Sequence, residues 1–127
     1  MIDLDTARKM LKEIVAERPD YVYEQIQSNA GNELGCFYWN SGAPSCGVGH
    51  VLHRAGVPDT VVAWLDVRIG NPDKVPGTNA DELHNVIPEH VDCDAAQYFA
   101  VFQQSQDDGD TWAQALQAAE AYAERAL

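Results

Sequence analysis

The sequence has few basic residues and no long apolar run. Eight Lys and Arg residues stand against twenty Asp and Glu, so the 127-residue chain carries a net charge of −12. A surface this negative repels phosphate backbones and anionic lipids, and direct binding to nucleic acid or to a membrane is therefore disfavoured. No apolar stretch approaches the roughly 18 residues that a helix needs to span a bilayer.

Cysteine is also scarce. The three cysteines, an odd number, argue against a secreted disulfide scaffold. The N-terminus shows no basic start followed by an apolar run, so no signal peptide is expected. These features predict a cytoplasmic protein, located in the host cytoplasm if a phage encodes it.

The negative charge is concentrated after Ala63. From Trp64 onward there are three basic and twelve acidic residues, a net charge of −9, whereas the preceding part has a net charge of −3. This asymmetry favours a protein partner with a basic surface, or mimicry of the DNA that such a partner binds. A general bias towards acidic, soluble sequences produces the same composition, and that alternative stays open.

Hydrophobic periodicity predicts an all-α fold, a single domain over residues 1–127 with five to six short helices. The first helix ends at Pro19. Another is expected over residues 46–55, with Ser45 as its N-cap and Gly56 as its stop. Further helices are predicted around residues 61–65, near Asn79, after Asp92 and from Thr111. No convincing alternation of apolar and polar residues marks a strand.

Most of the unusual chemistry lies between residues 36 and 56. Cys36, Cys46, His50 and His53 fall within eighteen residues, and a helix that begins at Cys46 places His50 on the same face. Zinc accepts cysteine and histidine ligands. The segment therefore predicts a zinc site made by these four residues, although it has no compact Cys-x-x-Cys pair. Zinc is the one cofactor that the sequence suggests.

Cys46 is also a candidate nucleophile, with His50 as its base. In the first turn of a helix, unpaired amide groups and the helix dipole stabilise a thiolate. The helix start Ser45-Cys46-Gly47 resembles the cysteine-bearing helix of cell-wall amidases of the NlpC type, and this resemblance implies a cysteine-dependent hydrolase. In that family the partner histidine lies on a downstream β-strand, whereas the later histidines of this chain lie among helix caps and prolines.

A structural interpretation of the same segment needs no ligand. Cysteine is small and weakly polar and is often buried in a core. Gly47 and Gly49 remove side chains from the first turn, which lets another backbone or a ligand approach closely. On this interpretation Cys46 and His50 are packed residues, and His53 lies at the surface.

Three features in order resemble small uncharacterised proteins of actinobacteria and their phages. These are a cysteine in a loop, a Cys-x-x-Gly-His helix and a final helix opened by Thr-Trp. The resemblance implies a phage or actinobacterial origin and supplies no activity. The matching residues here are Cys36, then Cys46 with Gly49-His50, then Asp110-Thr111-Trp112 and Ala115-Leu116.

No complete catalytic set or nucleotide-binding loop is recognised, so the sequence predicts a binding protein rather than an enzyme. The expected partner is a host protein with a basic surface, which the protein would inhibit, as a DNA mimic or otherwise. The alanine-rich face of residues 115–126 would equally support a homodimer. The predicted contact surface is the acidic, aromatic face of the last two helices, with Asp92, Asp94, Asp107, Asp108, Asp110 and Trp112 as its binding residues.

Overall fold

The computed structural model describes residues 1–24, 26–27, 34–35, 37–68 and 77–126. This part of the chain is mostly helical, which confirms the predicted all-α class with up to six helices. A 3-10 helix, Ala80–Glu82, directly precedes α4. The helices are α1 (Leu4–Glu17), α2 (Gly47–Arg54), α3 (Asp59–Val67), α4 (Leu83–Val86), α5 (Cys93–Asp107) and α6 (Trp112–Ala126).

Two small antiparallel ladders, which the sequence did not predict, lie between α1 and α2. Strand β1 (Ile26–Gln27) pairs with β2 (Leu34–Gly35), and β3 (Trp39–Asn40) pairs with β4 (Ala43–Pro44). The turn between β3 and β4 places Ser41 at φ 52° and Gly42 at φ 79°. Two consecutive left-handed residues form the type I′ turn that suits a tight hairpin. Strands of two residues are too short to show an alternating pattern.

The first helix begins at a side-chain cap and is tied to a distant segment. The Asp3 carboxylate accepts a hydrogen bond from the Thr6 amide at 2.8 Å, as expected of an N-cap. The preceding Ile2 donates to the His90 carbonyl at 2.7 Å and accepts from the Asp92 amide at 3.1 Å. The start of α1 is therefore fixed beside the start of α5.

Helices α5 and α6 form an antiparallel pair joined by a short loop. Gly109 has φ 98° in that loop. Thr111 and Gln114 cap α6 reciprocally, because the Thr111 amide donates to Oε1 of Gln114 at 2.9 Å and the Gln114 amide donates to Oγ1 of Thr111 at 3.2 Å. This is the capping-box arrangement. The pair presents Phe99, Phe102 and Trp112 to the core.

A charged cluster joins α1 to this helix pair. The Glu120 carboxylate accepts two hydrogen bonds from the Arg8 guanidinium, at 2.9 and 3.0 Å, and one from the Tyr98 hydroxyl at 2.8 Å. The Lys12 ammonium lies 3.0 Å from the same carboxylate. These contacts, led by Arg8, lower the pKa of Glu120 to about 2, against the opposing effect of burial. The Glu120 carboxylate therefore links α1, α5 and α6.

A buried carboxylate fixes the β3–β4 hairpin to α3. Asp66 is only 9% exposed. Its two oxygens accept hydrogen bonds from the amides of Tyr38 and Trp39, each at 2.9 Å. Burial raises the pKa of Asp66 to about 6, although the two amide hydrogen bonds act in the opposite direction. The hairpin is therefore held by a carboxyl group on whose pKa burial and the two hydrogen bonds act in opposite directions.

Asp66 is expected to make the protein less stable as the pH rises from 4 to 7. A carboxyl whose pKa is higher in the folded state than its ordinary value of 3.8 binds its proton more tightly when folded. Its favourable contribution is therefore complete below the ordinary value and is lost as the pH rises through about 6. Two pKa units correspond to at most about 3 kcal/mol. The measurement is urea unfolding of the wild type and Asp66→Asn between pH 4 and 8.

The difference in unfolding free energy between wild type and Asp66→Asn should fall by that amount over the interval. Asp20→Asn, at an exposed carboxylate, is the control and should follow the wild type. A difference that stays constant or grows with pH would show that the two amide hydrogen bonds outweigh burial.

Candidate functional site

The cysteine segment is part of the packed interior. Cys46 is 0% exposed and is itself the N-cap of α2, where its sulfur accepts a hydrogen bond from the Gly49 amide at 3.4 Å. Its own amide donates to the Phe37 carbonyl at 2.9 Å. The predicted N-cap, Ser45, instead places its hydroxyl 2.8 Å from that of Tyr23. The thiol is out of reach of a substrate in this structure, so the nucleophile hypothesis has no support from its position.

The two histidine side chains of α2 have different neighbours. His50 is half-buried, and its ring centroid lies 5.7 Å from that of Trp112 in an edge-on arrangement. His53 is exposed and lies against Asp59, with its Nδ1 3.2 Å from a carboxylate oxygen. The Trp39 ring covers His53 from another side at 5.7 Å. His50 and His53 therefore point to different neighbours rather than to a common ligand.

The predicted zinc site has no counterpart in the described residues. The remaining predicted ligand, Cys36, lies outside the part of the chain that the structure describes. Among the described residues, no group of three or more His, Cys, Asp and Glu side chains could hold a metal ion. Cys46, His50 and His53 are accounted for by a helix cap, a ring contact and a surface pair.

Gln106 connects α2, α5 and α6 through hydrogen bonds, and sequence analysis did not identify it. It is 1% exposed, and its Oε1 accepts hydrogen bonds from the Gly47 amide at 3.0 Å and from the Trp112 indole at 3.1 Å. The first turn of α2 and the first residue of α6 therefore meet at the end of α5. Position 106 continues the buried stripe of Phe99 and Phe102 at helical spacing, and this spacing was the available signal.

Trp112 was predicted as a binding residue, and its burial corrects that prediction. Only 1% of the residue is exposed. The centroid of its ring lies 4.7 Å from that of Tyr21 and 6.5 Å from that of Phe102. A side chain enclosed in this way cannot anchor a partner without local unfolding.

The predicted acidic surface is divided between the two ends of α5. Asp92 caps the helix by accepting a hydrogen bond from the Ala95 amide at 2.9 Å, and Asp94 lies in the first turn. Asp107, Asp108 and Asp110 lie at the other end, about 20 Å away for a helix of this length. The six predicted residues do not form one continuous contact surface.

An open groove lies beside the second group of acids, between α5 and α6. Its volume is about 440 Å³, within the range of about 300 to 1,000 Å³ that is typical of ligand sites. We call it the α5–α6 groove. Its apolar lining residues are Ala100, Val101, Ala118 and Tyr122, and its polar lining residues are Gln97, Gln104, Ser105, Asp108 and Asp110.

The acidic end of the groove coincides with the carbonyl end of α5. A helix carries a partial negative charge at its C-terminus, so carboxylates there are unfavourable and a cation is favourable. The last turn of α5 contains no basic residue. Two contacts engage the carboxylates: Oγ of Ser105 donates to Asp110 at 2.6 Å, and Nε2 of Gln104 lies 3.4 Å from Asp108.

A smaller cleft of about 260 Å³ continues the acidic region. It shares Ala100 and Gln104 with the α5–α6 groove and is also lined by Asp81 and Asp107. Four carboxylates therefore surround the C-terminal end of α5. This region combines apolar surface with a strongly negative potential, which suits a partner that is apolar on one side and basic at one end.

The comparisons with known proteins do not assign a function to the chain. No family model, curated protein or solved structure matches the chain. None of the helices among the described residues is long and apolar enough to cross a membrane. The resemblance to small proteins of actinobacteria and their phages stays a prediction, and the function has to be argued from the α5–α6 groove and its charge.

Proposed function

We propose that the α5–α6 groove binds a basic, amphipathic segment of a partner protein, which is a host protein if a phage encodes this chain. The observation that carries the proposal is the apolar groove that opens onto carboxylates at the C-terminal end of α5. Apolar side chains of the segment would occupy the lining around Val101 and Ala118. A Lys or Arg of the segment would pair with Asp108 and supply the cation that the end of the helix lacks.

The placement of these acids supports a functional role. Like charge at the end of a helix dipole lowers stability, and a cation from a partner would relieve this repulsion. The unfavourable group here is exposed, which makes it available to a partner. DNA mimicry calls for carboxylates spaced along a surface like phosphates, whereas those of α5 gather at its two ends. A peptide-binding groove therefore fits the geometry better than a DNA mimic.

The proposal makes Asp108→Asn a variant with opposite effects on folding and binding. Removing the charge should raise the unfolding free energy by about 0.3 to 1 kcal/mol, because it relieves repulsion at the end of α5. The same change should weaken binding of a synthetic helical Leu/Lys peptide by about threefold, since one exposed ion pair is lost. The measurements are urea unfolding and fluorescence anisotropy of the labelled peptide.

Two matched controls separate specific binding from general attraction. Asp94→Asn removes the same charge from the opposite end of α5 and should leave peptide affinity unchanged. Ala118→Gln narrows the α5–α6 groove and should weaken binding by tenfold or more, whereas Ala121→Gln, on the exposed face of α6, should not. If Asp108→Asn and Asp94→Asn lost peptide affinity equally, binding would depend only on the net charge of the protein. That result would refute the proposed site.

The predicted homodimer is a competing occupant of the same groove. Sedimentation of the protein alone, with and without Ala118→Gln, distinguishes the two cases. If a second copy fills the groove, the wild type sediments as a dimer and the variant as a monomer. If the groove takes a segment of another protein, both sediment as monomers, and amide shifts caused by the Leu/Lys peptide are confined to α5 and α6.

A further inference from the structure

A second charged region lies where the end of α1 meets α2, and its sign is opposite to that of the rest of the molecule. It contains two of the eight Lys and Arg residues of the chain together with a histidine. Arg18 directly follows α1, and His50 and Arg54 lie one turn apart on α2. We call this set of three residues the α1–α2 corner. These three residues lie together although the chain as a whole is strongly acidic.

The aromatic side chains beneath the corner hold two of its members in place. The guanidinium carbon of Arg18 lies 4.3 Å from the ring centroid of Tyr21 and 5.1 Å from that of Trp112. The His50 ring contacts the same Trp112 ring. Cation–π contacts hold a guanidinium over a ring without neutralising its charge. Arg18 and His50 are thus positioned beside one buried indole.

The corner has more positive groups than negative partners. Arg54 is paired with Glu17. Among the residues that the structure describes, no carboxylate forms an ion pair with Arg18, and no side chain forms a hydrogen bond with the His50 ring. Arg18 is exposed and His50 is half-buried, so both remain accessible to a ligand from solution.

Burial and two neighbouring guanidinium groups act on the pKa of His50 in the same direction. Burial lowers the pKa of His50, and Arg18 and Arg54 lower it further, against a smaller opposing effect of Glu17. The amides of Trp112 and Ala113, in the first turn of α6, donate to the carbonyls of Tyr21 and Pro19, each at 2.9 Å, and fix the segment after Arg18 beside α6. Carboxylates farther than about 8 Å are largely screened at physiological salt.

We propose that the α1–α2 corner binds a phosphate group between Arg18 and His50, at a site separate from the α5–α6 groove. The guanidinium offers two parallel N–H donors to an oxyanion, and the imidazole offers one more. Arg54 stays paired with Glu17 and is not a ligand of the phosphate. The proposal does not depend on the function proposed for the groove, since no residue is shared between the two sites.

The test is a histidine titration by NMR with inorganic phosphate as the probe. Phosphate replaces chloride at constant ionic strength, and the His50 ring resonances are followed against pH. A bound anion beside the imidazole should raise the pKa of His50 by about one unit. The resonances of His90, which lies in the turn before α5, should not respond to phosphate. Equal titration curves of His50 in phosphate and in chloride would overturn the proposal.

Two variants locate the effect, and a second probe identifies its source. Arg18→Gln should abolish the response of His50 to phosphate, and Lys9→Gln, which removes an exposed charge elsewhere on α1, should preserve it. Amide spectra establish that both variants are folded. Glycerol 3-phosphate serves as a second arm: a response to both probes indicates a phosphoryl group carried by a small molecule, and a response to inorganic phosphate alone indicates the free ion. An undiminished response in Arg18→Gln would refute the site.

Discussion

The Gly49→Ala variant is expected to lose more than about 3 kcal/mol of stability, a large part of the 5 to 15 kcal/mol typical of a domain. A Cβ added at Gly49 would lie 2.1 Å from the Tyr38 carbonyl oxygen and 2.8 Å from its carbon. Both are backbone atoms, and the amide of Tyr38 is held by Asp66. The backbone at Tyr38 therefore cannot move aside without breaking that contact, and such overpacking is strongly destabilising.

Urea unfolding of Gly49→Ala and Gly42→Ala checks this expectation. Gly42 has φ 79° and no atom within 4 Å of an added Cβ, so its substitution should cost about 1 kcal/mol through backbone strain alone. Both changes reduce the flexibility of the unfolded chain equally. A Gly49→Ala variant no less stable than Gly42→Ala would show that α2 and the backbone of Tyr38 are not in this close contact.

The prediction about these glycines shows what local sequence can convey. Two glycines in the first turn of a helix predicted close approach by another group, and the structure provides it at both positions. At Gly47 an added Cβ would lie 2.4 Å from the ring of Phe102, a residue 55 positions away. Which group approaches is decided by tertiary contacts, and the sequence left a backbone and a ligand as equal alternatives.

Helix positions were predictable where caps and apolar spacing agreed. The Asp92 cap and the stripe containing Phe99 and Phe102 both point to α5, and the structure has both. The start of α2 was misplaced by one residue because Ser45 is the stronger cap by composition. In the fold, the Cys46 amide bonds to Phe37 and its sulfur takes the capping position. A long-range hydrogen bond of this kind leaves no mark on local sequence.

The site was only partly accessible from the sequence. The acids at the end of α5 were part of the predicted contact surface, which stays a prediction, whereas their separation from Asp92 and Asp94 follows from helix length alone and was overlooked. The burial of Trp112 could also have been anticipated, because it continues the apolar side of α6 with Ala115 and Ala119. The α5–α6 groove and the α1–α2 corner were not predictable, since each depends on how two helices meet.

Gln106→Met is expected to cost about 4 kcal/mol, because it leaves two buried donors without their acceptor. Methionine has nearly the same length and volume as glutamine, so the loss reflects hydrogen bonding rather than a cavity. The Gly47 amide and the Trp112 indole each lose a bond to Oε1, and an unsatisfied buried donor costs about 1 to 3 kcal/mol. Urea unfolding gives the total.

Hydrogen exchange at the Gly47 amide and the Trp112 indole provides the local readout for Gln106→Met. Both protons should exchange faster by a larger factor than those in the middle of α1, because the bonds lost lie where α2, α5 and α6 meet. Gln117→Met makes the same chemical change on the exposed face of α6 and should alter neither stability nor exchange. If Gln106→Met kept its stability and slow exchange at both protons, the contact of the three helices would depend on apolar packing around Phe102 and Trp112, and the buried amide would be replaceable.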